Sequence, residues 1–145
     1  MEVLQQIVTV AGMLISAGTT YYFTKMERRR QYRIDRVNRL KKFVSGLTIF
    51  GYMQAPEYYE IRALMNDSEK SQVNNITNAI NDKHQSQYEN EKGTLEIAKA
   101  GANPISAVEQ LHSMIYVTVE KNCLEDLVKL KEIMMLAILQ EEKSS

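Results

Sequence analysis

Residues 3–24 read VLQQIVTVAGMLISAGTTYYFT, 22 residues without a charge, and KMERRR follows at once at 25–30. About 20 helical residues, rising 1.5 Å each, cross a hydrocarbon core roughly 30 Å thick. The run therefore has the length of one membrane span. It is only moderately apolar, because Gln5, Gln6, Thr9, Ser16, Thr19 and Thr20 lie within it. Ser and Thr can return their hydroxyls to the carbonyl one turn back, which lowers their cost in lipid. Tyr21, Tyr22 and Phe23 stand where an interfacial aromatic belt falls. A cleaved signal peptide would carry positive charge ahead of its apolar core, and the only early side-chain charge is Glu2. A buried helix of a small soluble domain would show a polar stripe at 3.6-residue spacing, whereas the charges here wait until the run ends. Residues 1–24 read as a transmembrane anchor.

The charge distribution gives this anchor a direction. The chain of 145 residues has 18 basic and 18 acidic side chains, yet residues 1–42 hold nine basic and three acidic, a net of +6. The remainder holds nine and fifteen, a net of −6. The basic flank lies on the C-terminal side of the span. The positive-inside bias then places the N-terminus outside and residues 43–145 in the cytoplasm, as a single-pass protein of the cell's inner membrane. One cysteine, Cys123, makes neither an internal disulfide nor a multi-cysteine zinc site, and it agrees with a reducing compartment.

Within the span, Gly12, Ser16 and Thr20 recur every four residues and line up small side chains along one face. Such lines let helix backbones approach closely in lipid, so a homo-oligomer packed through this face is expected. The same line also arises by chance, since small residues are common in membrane helices.

Residues 25–42, KMERRRQYRIDRVNRLKK, form a basic juxtamembrane helix. At 100° per residue, Lys25, Arg28, Arg29, Arg33, Arg36 and Arg39 fall within about 140° of arc, with Arg30 beside them. Anionic lipid head groups attract the first two turns. That field fades within a Debye length of roughly 8 Å, so from Arg36 onward pairing with the acidic remainder or with a partner protein takes over. Nucleic acid is a disfavoured partner, because the anchor holds the basic helix against the membrane.

No glycine or proline interrupts residues 25–42, and a continuous helix from residue 3 to about residue 53 is expected. Val37, Leu40, Val44 and Leu47, flanked by Phe43 and Phe50, give it an apolar face for a partner helix. Pro56 ends that helix and opens a short one, Glu57–Met65. Asn66-Asp67-Ser68 supplies a turn with an N-cap, and the next helix buries Val73, Ile76 and Ile80. Residues 81–94 are almost wholly polar, and periodicity leaves open whether they are helix or loop. At 100–104, AGANP, Gly101 suits a left-handed C-cap, Asn103 an N-cap and Pro104 the first helical position. One helix of about 57 Å then runs to about Glu141. Its apolar stripe is Ile105, Val108, Leu111, Ile115 and Val119, then Leu124, Leu127, Leu130, Met134 and Ile138. The stripe shifts near Asn122-Cys123, which implies two packing partners or a bend. No strand-like alternation occurs. The fold class is all-α: a transmembrane helix continuing into a cytoplasmic antiparallel helical bundle.

Signatures of catalytic or metal chemistry are weak in this sequence. Glu109-Gln110-Leu111-His112 matches half of a di-iron bundle motif, but the position three before His84 is Asn81, so the second half is missing. His112 and Cys123 are eleven residues apart, roughly 16 Å along a helix, too far for a nucleophile and its base. There is no phosphate loop, nucleophile elbow or dinucleotide fingerprint. No enzyme activity, cofactor or metal is expected. Tyr58 and Tyr59 are candidate interface residues, tyrosine being favoured there, although such a pair often splits between core and rim. The segment 133–139 is apolar nearly all round, so Met134, Met135 and Ile138 are candidates either for a subunit interface or for the interior of one chain.

The expected function is therefore that of a non-enzymatic, membrane-anchored interaction protein: a scaffold, sensor or inhibitor presented at the cytoplasmic face to a partner of unspecified identity. Two rival expectations stand beside it. One is a soluble assembly protein whose first helix is buried in an oligomer core. The other is a small lytic or pore-forming membrane protein, which the long polar cytosolic part disfavours.

Overall fold

A computed structural model describes residues 1–144. About 90% of the chain is helical, in six α-helices, and no strand occurs among the described residues. The helices are α1 (Glu2–Ser45), α2 (Pro56–Leu64), α3 (Asp67–Asn90), α4 (Lys92–Ala100), α5 (Pro104–Asn122) and α6 (Leu124–Ser144). A one-turn 3₁₀ helix, Tyr52–Gln54, lies between α1 and α2. The chain divides into two compact units, Met1–Arg39 and Leu40–Ser145.

Local chemistry sets several of these boundaries. Pro56 occupies the first turn of α2 and Pro104 that of α5, where the missing N–H costs nothing. Asn66 caps α3 in a capping box: its side chain accepts from the Glu69 N–H at 2.8 Å, while the Glu69 carboxylate accepts from the Asn66 N–H. Residues 81–90 are helical, as the end of α3, and only Glu91 separates them from α4.

Three expectations are corrected. First, α1 ends at Ser45 rather than near residue 53. Leu47 and Ile49 turn into the core, Thr48 donates its hydroxyl to the Phe50 carbonyl, and Gly51 takes φ 77°, a left-handed conformation that glycine adopts without strain. Second, Gly101 caps α4 with φ −77° and ψ 177°, extended rather than left-handed. Asn103 holds the N-cap position of α5, but its side chain makes no capping bond there. Third, the expected single final helix is two helices, α5 and α6, divided at Cys123, where the shift of its apolar stripe implies a change of packing partner or a bend.

The second unit holds the core. In one cluster Ile49, Ile80, Leu95, Leu111, Ile115, Val119 and Cys123 are buried together, with Phe50, Ile76, Val108 and Leu127 packed against them. The other buried residues include Leu40 and Val44 at the end of α1, Tyr58 and Ile61 on α2, Val73 on α3, and Leu130, Met134, Ala137 and Ile138 on α6. Helix α3 packs against both α5 and α6, α4 against α5, and α2 against α6. Each fully buried Leu, Ile or Met contributes about 1.5–3 kcal/mol relative to exposure. Ile105 and Leu124, expected in the buried stripe, are instead 76% and 53% exposed.

Candidate functional site

The first unit is one rod of helix with no core of its own. One helix, α1, contains an 18-residue window long and apolar enough to cross a membrane, with mean hydropathy 1.3, and none of that window is buried. Val3, Leu4, Ile7, Val8, Leu14 and Ile15 are all exposed. Such a continuous apolar surface is far larger than soluble monomers ordinarily present to water.

Two threonines of the apolar run are satisfied by their own helix. Thr9 donates its hydroxyl to the Gln5 carbonyl at 2.9 Å, and Thr19 donates to the Ile15 carbonyl at 2.8 Å. Each hydroxyl thereby meets a backbone acceptor that needs no water, as a helix in lipid requires. Gly12, Ser16 and Thr20 are exposed, and a Cβ added at Gly12 would meet nothing within 4 Å. Tyr22 and Phe23 pack edge to face with centroids 6.3 Å apart. The Lys25 ammonium lies 6.0 Å from the Tyr21 ring centroid, at the outer limit of a cation–π contact. Arg28, Arg29, Arg30 and Arg33 are exposed, and Arg36 is half-buried.

The residues expected at a protein interface separate. Met134 and Ile138 are fully enclosed by their own chain, and Met135 is half-buried. These two are core residues, because α2 and α3 both pack against α6 and leave its apolar interior covered. Tyr58 is likewise buried. Its ring lies 5.5 Å from that of Tyr52, and its hydroxyl accepts from Arg62 Nη1 at 3.3 Å. Tyr59 remains 58% exposed, its ring edge-on to Tyr58 at 5.2 Å. The tyrosine pair divides between core and rim.

Three ionisable groups in the second unit are perturbed. Burial pushes the Tyr52 phenol up, and its hydrogen bond with Thr77 opposes only part of that rise. The hydrogen bond to Asp126 raises Lys83. Burial raises the Cys123 thiol, with Lys83 opposing. A neutral, buried thiol is a poor nucleophile. Among the described residues no group of three or more His, Cys, Asp or Glu is placed to hold a metal ion.

Sequence reasoning missed two surface features. Phe50 stacks on Tyr116 with centroids 4.2 Å apart and meets the His84 ring edge-on at 5.5 Å. The second is the exposure of the apolar residues Met114 and Val117 on α5 and of Val128 and Leu136 on α6. No protein-family model matches the sequence, and the comparisons with curated proteins and with solved structures give no significant match.

Proposed function

We propose that this chain is a non-enzymatic, single-pass membrane protein that presents a helical interaction module at the cytoplasmic face of the membrane. The observation that carries this reading is the complete exposure of the apolar window in α1. The core helix of a soluble domain passes the same length and composition test, but most of such a helix is buried by its own chain. Thr9 and Thr19, bonded back to their own helix, support the same reading.

The basic collar supplies the orientation. Lys25, Arg28, Arg29 and Arg30 follow the span directly and are held on the cytoplasmic side by the positive-inside bias. Anionic head groups there contribute about 1 kcal/mol per basic residue near the surface. The module that follows carries a net charge of −6 over residues 43–145, the same sign as those lipids, which favours a protein partner over the membrane surface. Scaffolding, sensing or inhibition of that partner is the class of function such an arrangement serves.

Fractionation tests the anchor. The full chain should remain with membranes through an alkaline carbonate wash and be released by detergent. Release by carbonate alone would replace this reading with that of a soluble assembly protein whose first helix is covered by sister chains.

A further inference from the structure

We infer that two copies of α1 pack side by side and parallel, along one strip of the helix that carries its hydroxyls and amides. The inference rests on the anchored reading, which holds both copies in the same orientation. At 100° per residue the polar residues of the apolar run, Gln5, Gln6, Thr9, Ser16, Thr19 and Thr20, fall within about 140° of arc, with Gly12 among them. Val3, Leu4, Ile7, Val8, Leu14 and Ile15 fall within about 140° on the opposite side. Helix α1 is unbroken from Glu2 to Ser45, so the division runs along the whole of the first unit, Met1–Arg39. All of these residues are exposed. The apolar side suits lipid, and the strip does not, although no charge stands on it between residues 3 and 24. Gln5 carries both donors and an acceptor, so it can bond its counterpart in a second copy where hydrocarbon offers neither. Gly12 and Ser16 let the two backbones approach closely, and the space beside Gly12 is open.

The collar specifies the occupant independently. A parallel pair of identical helices sets each residue beside its own counterpart, so the shared face cannot hold a row of like charges. Six of the seven basic residues between 25 and 39 keep off it. Lys25, Arg28, Arg29, Arg33, Arg36 and Arg39 occupy an arc centred roughly 180° from the strip. The seventh, Arg30, falls on the strip together with Glu27. These two are three residues apart and lie on either side of its centre line. In a parallel pair Glu27 of one copy therefore faces Arg30 of the other, and symmetry makes two such opposite-charge pairs. A partner of another kind imposes no such exclusion, and an acidic one would be met best by arginines turned toward it. The strip is thus charge-compatible with a second copy of itself along its whole length.

Disulfide linkage in membranes tests it on the full chain. Membranes are first washed with alkaline carbonate and then oxidised with copper phenanthroline. Gly12→Cys and Ser16→Cys should form linked dimers. Ala11→Cys and Gly18→Cys, at similar depth on the opposite arc, should give about tenfold less, and the parent none, because its Cys123 is buried. In mild detergent, Glu27→Arg should weaken dimerisation about tenfold, and adding Arg30→Glu should restore it. Chain retained through the wash but unlinked at Gly12→Cys and Ser16→Cys, or linked equally at Ala11→Cys, would overturn the paired strip and leave the anchor standing. Chain lost into the wash would remove both. A Ser16→Cys product of any mass other than twice that of the chain would give the strip to a different membrane protein. A Glu27→Arg variant that dimerises like the parent, or a double variant that stays dissociated, would equally sink the parallel pairing.

Discussion

Lys83 on α3 reaches across to the break between the last two helices, placing its ammonium 2.7 Å from Asp126 Oδ2 and 3.2 Å from the Asn122 carbonyl. One cation thereby satisfies a carbonyl at the end of α5 and a carboxylate in the first turn of α6. Both contacts are favourable to helix dipoles, with positive charge at a C-terminus and a carboxylate near an N-terminus. The Lys83 side chain is 45% exposed, so the pair is screened and its net worth is small. Lys83→Met should lower stability by about 1 kcal/mol, read as a shift in the urea midpoint. Asp126→Asn alone should cost about as much, and the double variant little more than either single one. Additive losses would mean that the two residues act separately.

A second pairing lies inside the second unit. The Tyr52 hydroxyl and Thr77 Oγ1 are 2.6 Å apart, and both residues are buried. Removing one partner strands the other away from water. Tyr52→Phe and Thr77→Val should each cost about 1–3 kcal/mol, whereas the double variant should cost less than the sum. Equilibrium urea unfolding of the four proteins gives the coupling directly.

Alkaline pH should destabilise the second unit, beginning with Cys123. Burial raises this thiol above its ordinary value of 9.0, so the unfolded chain gives up the proton first. The stabilising difference is fully present below pH 9 and is lost as pH rises through the folded-state value. Tyr52 and Lys83 are raised from 10.0 and 10.5 and follow later in the same direction. Between pH 9 and 10 the fall in urea midpoint should therefore flatten in Cys123→Ala. That variant should also be less stable at every pH, because it leaves a cavity. An unchanged slope in Cys123→Ala would mean that another group governs the alkaline limb.

Much of this architecture was legible because it is locally determined. Pro56, Pro104 and the Asn66/Glu69 box act within one helical turn and mark their boundaries in the sequence. The exposed character of the first 24 residues was legible for the same reason, since length and absence of charge decide it. What could not be read depends on distant residues. The end of α1 at Ser45 is set by Leu47 and Ile49 entering the core, where Ile49 meets Leu111 and Ile115 from far along the chain. The shift of the apolar stripe near Asn122-Cys123 marks the place of the break between α5 and α6, but not that the helix ends there, since Cys123 carries no helix-breaking chemistry and the contacts across it come from Lys83, about forty residues earlier. Ile105 and Leu124 share the spacing of the buried stripe, yet no neighbouring helix covers them. Of the candidate interface residues, Tyr59 stayed at the surface while Tyr58, Met134 and Ile138 went inside, a division that local pattern does not encode.

The collar provides the last prediction. Under the anchored reading, Lys25, Arg28, Arg29 and Arg30 keep the C-terminal part of the chain from crossing the membrane, and Glu2 stands just ahead of the apolar run. Replacing all four basic residues with Gln leaves the apolar run intact, so the chain should still resist carbonate extraction. Its orientation should become mixed. A reporter fused to the C-terminus that is active only outside the cytoplasm should stay silent in the parent and gain signal in the variant. Adding two Lys ahead of Glu2 in the variant should raise that signal further, because the bias then favours the opposite orientation. An unchanged silent reporter in both variants would show that these four residues do not set the direction of insertion.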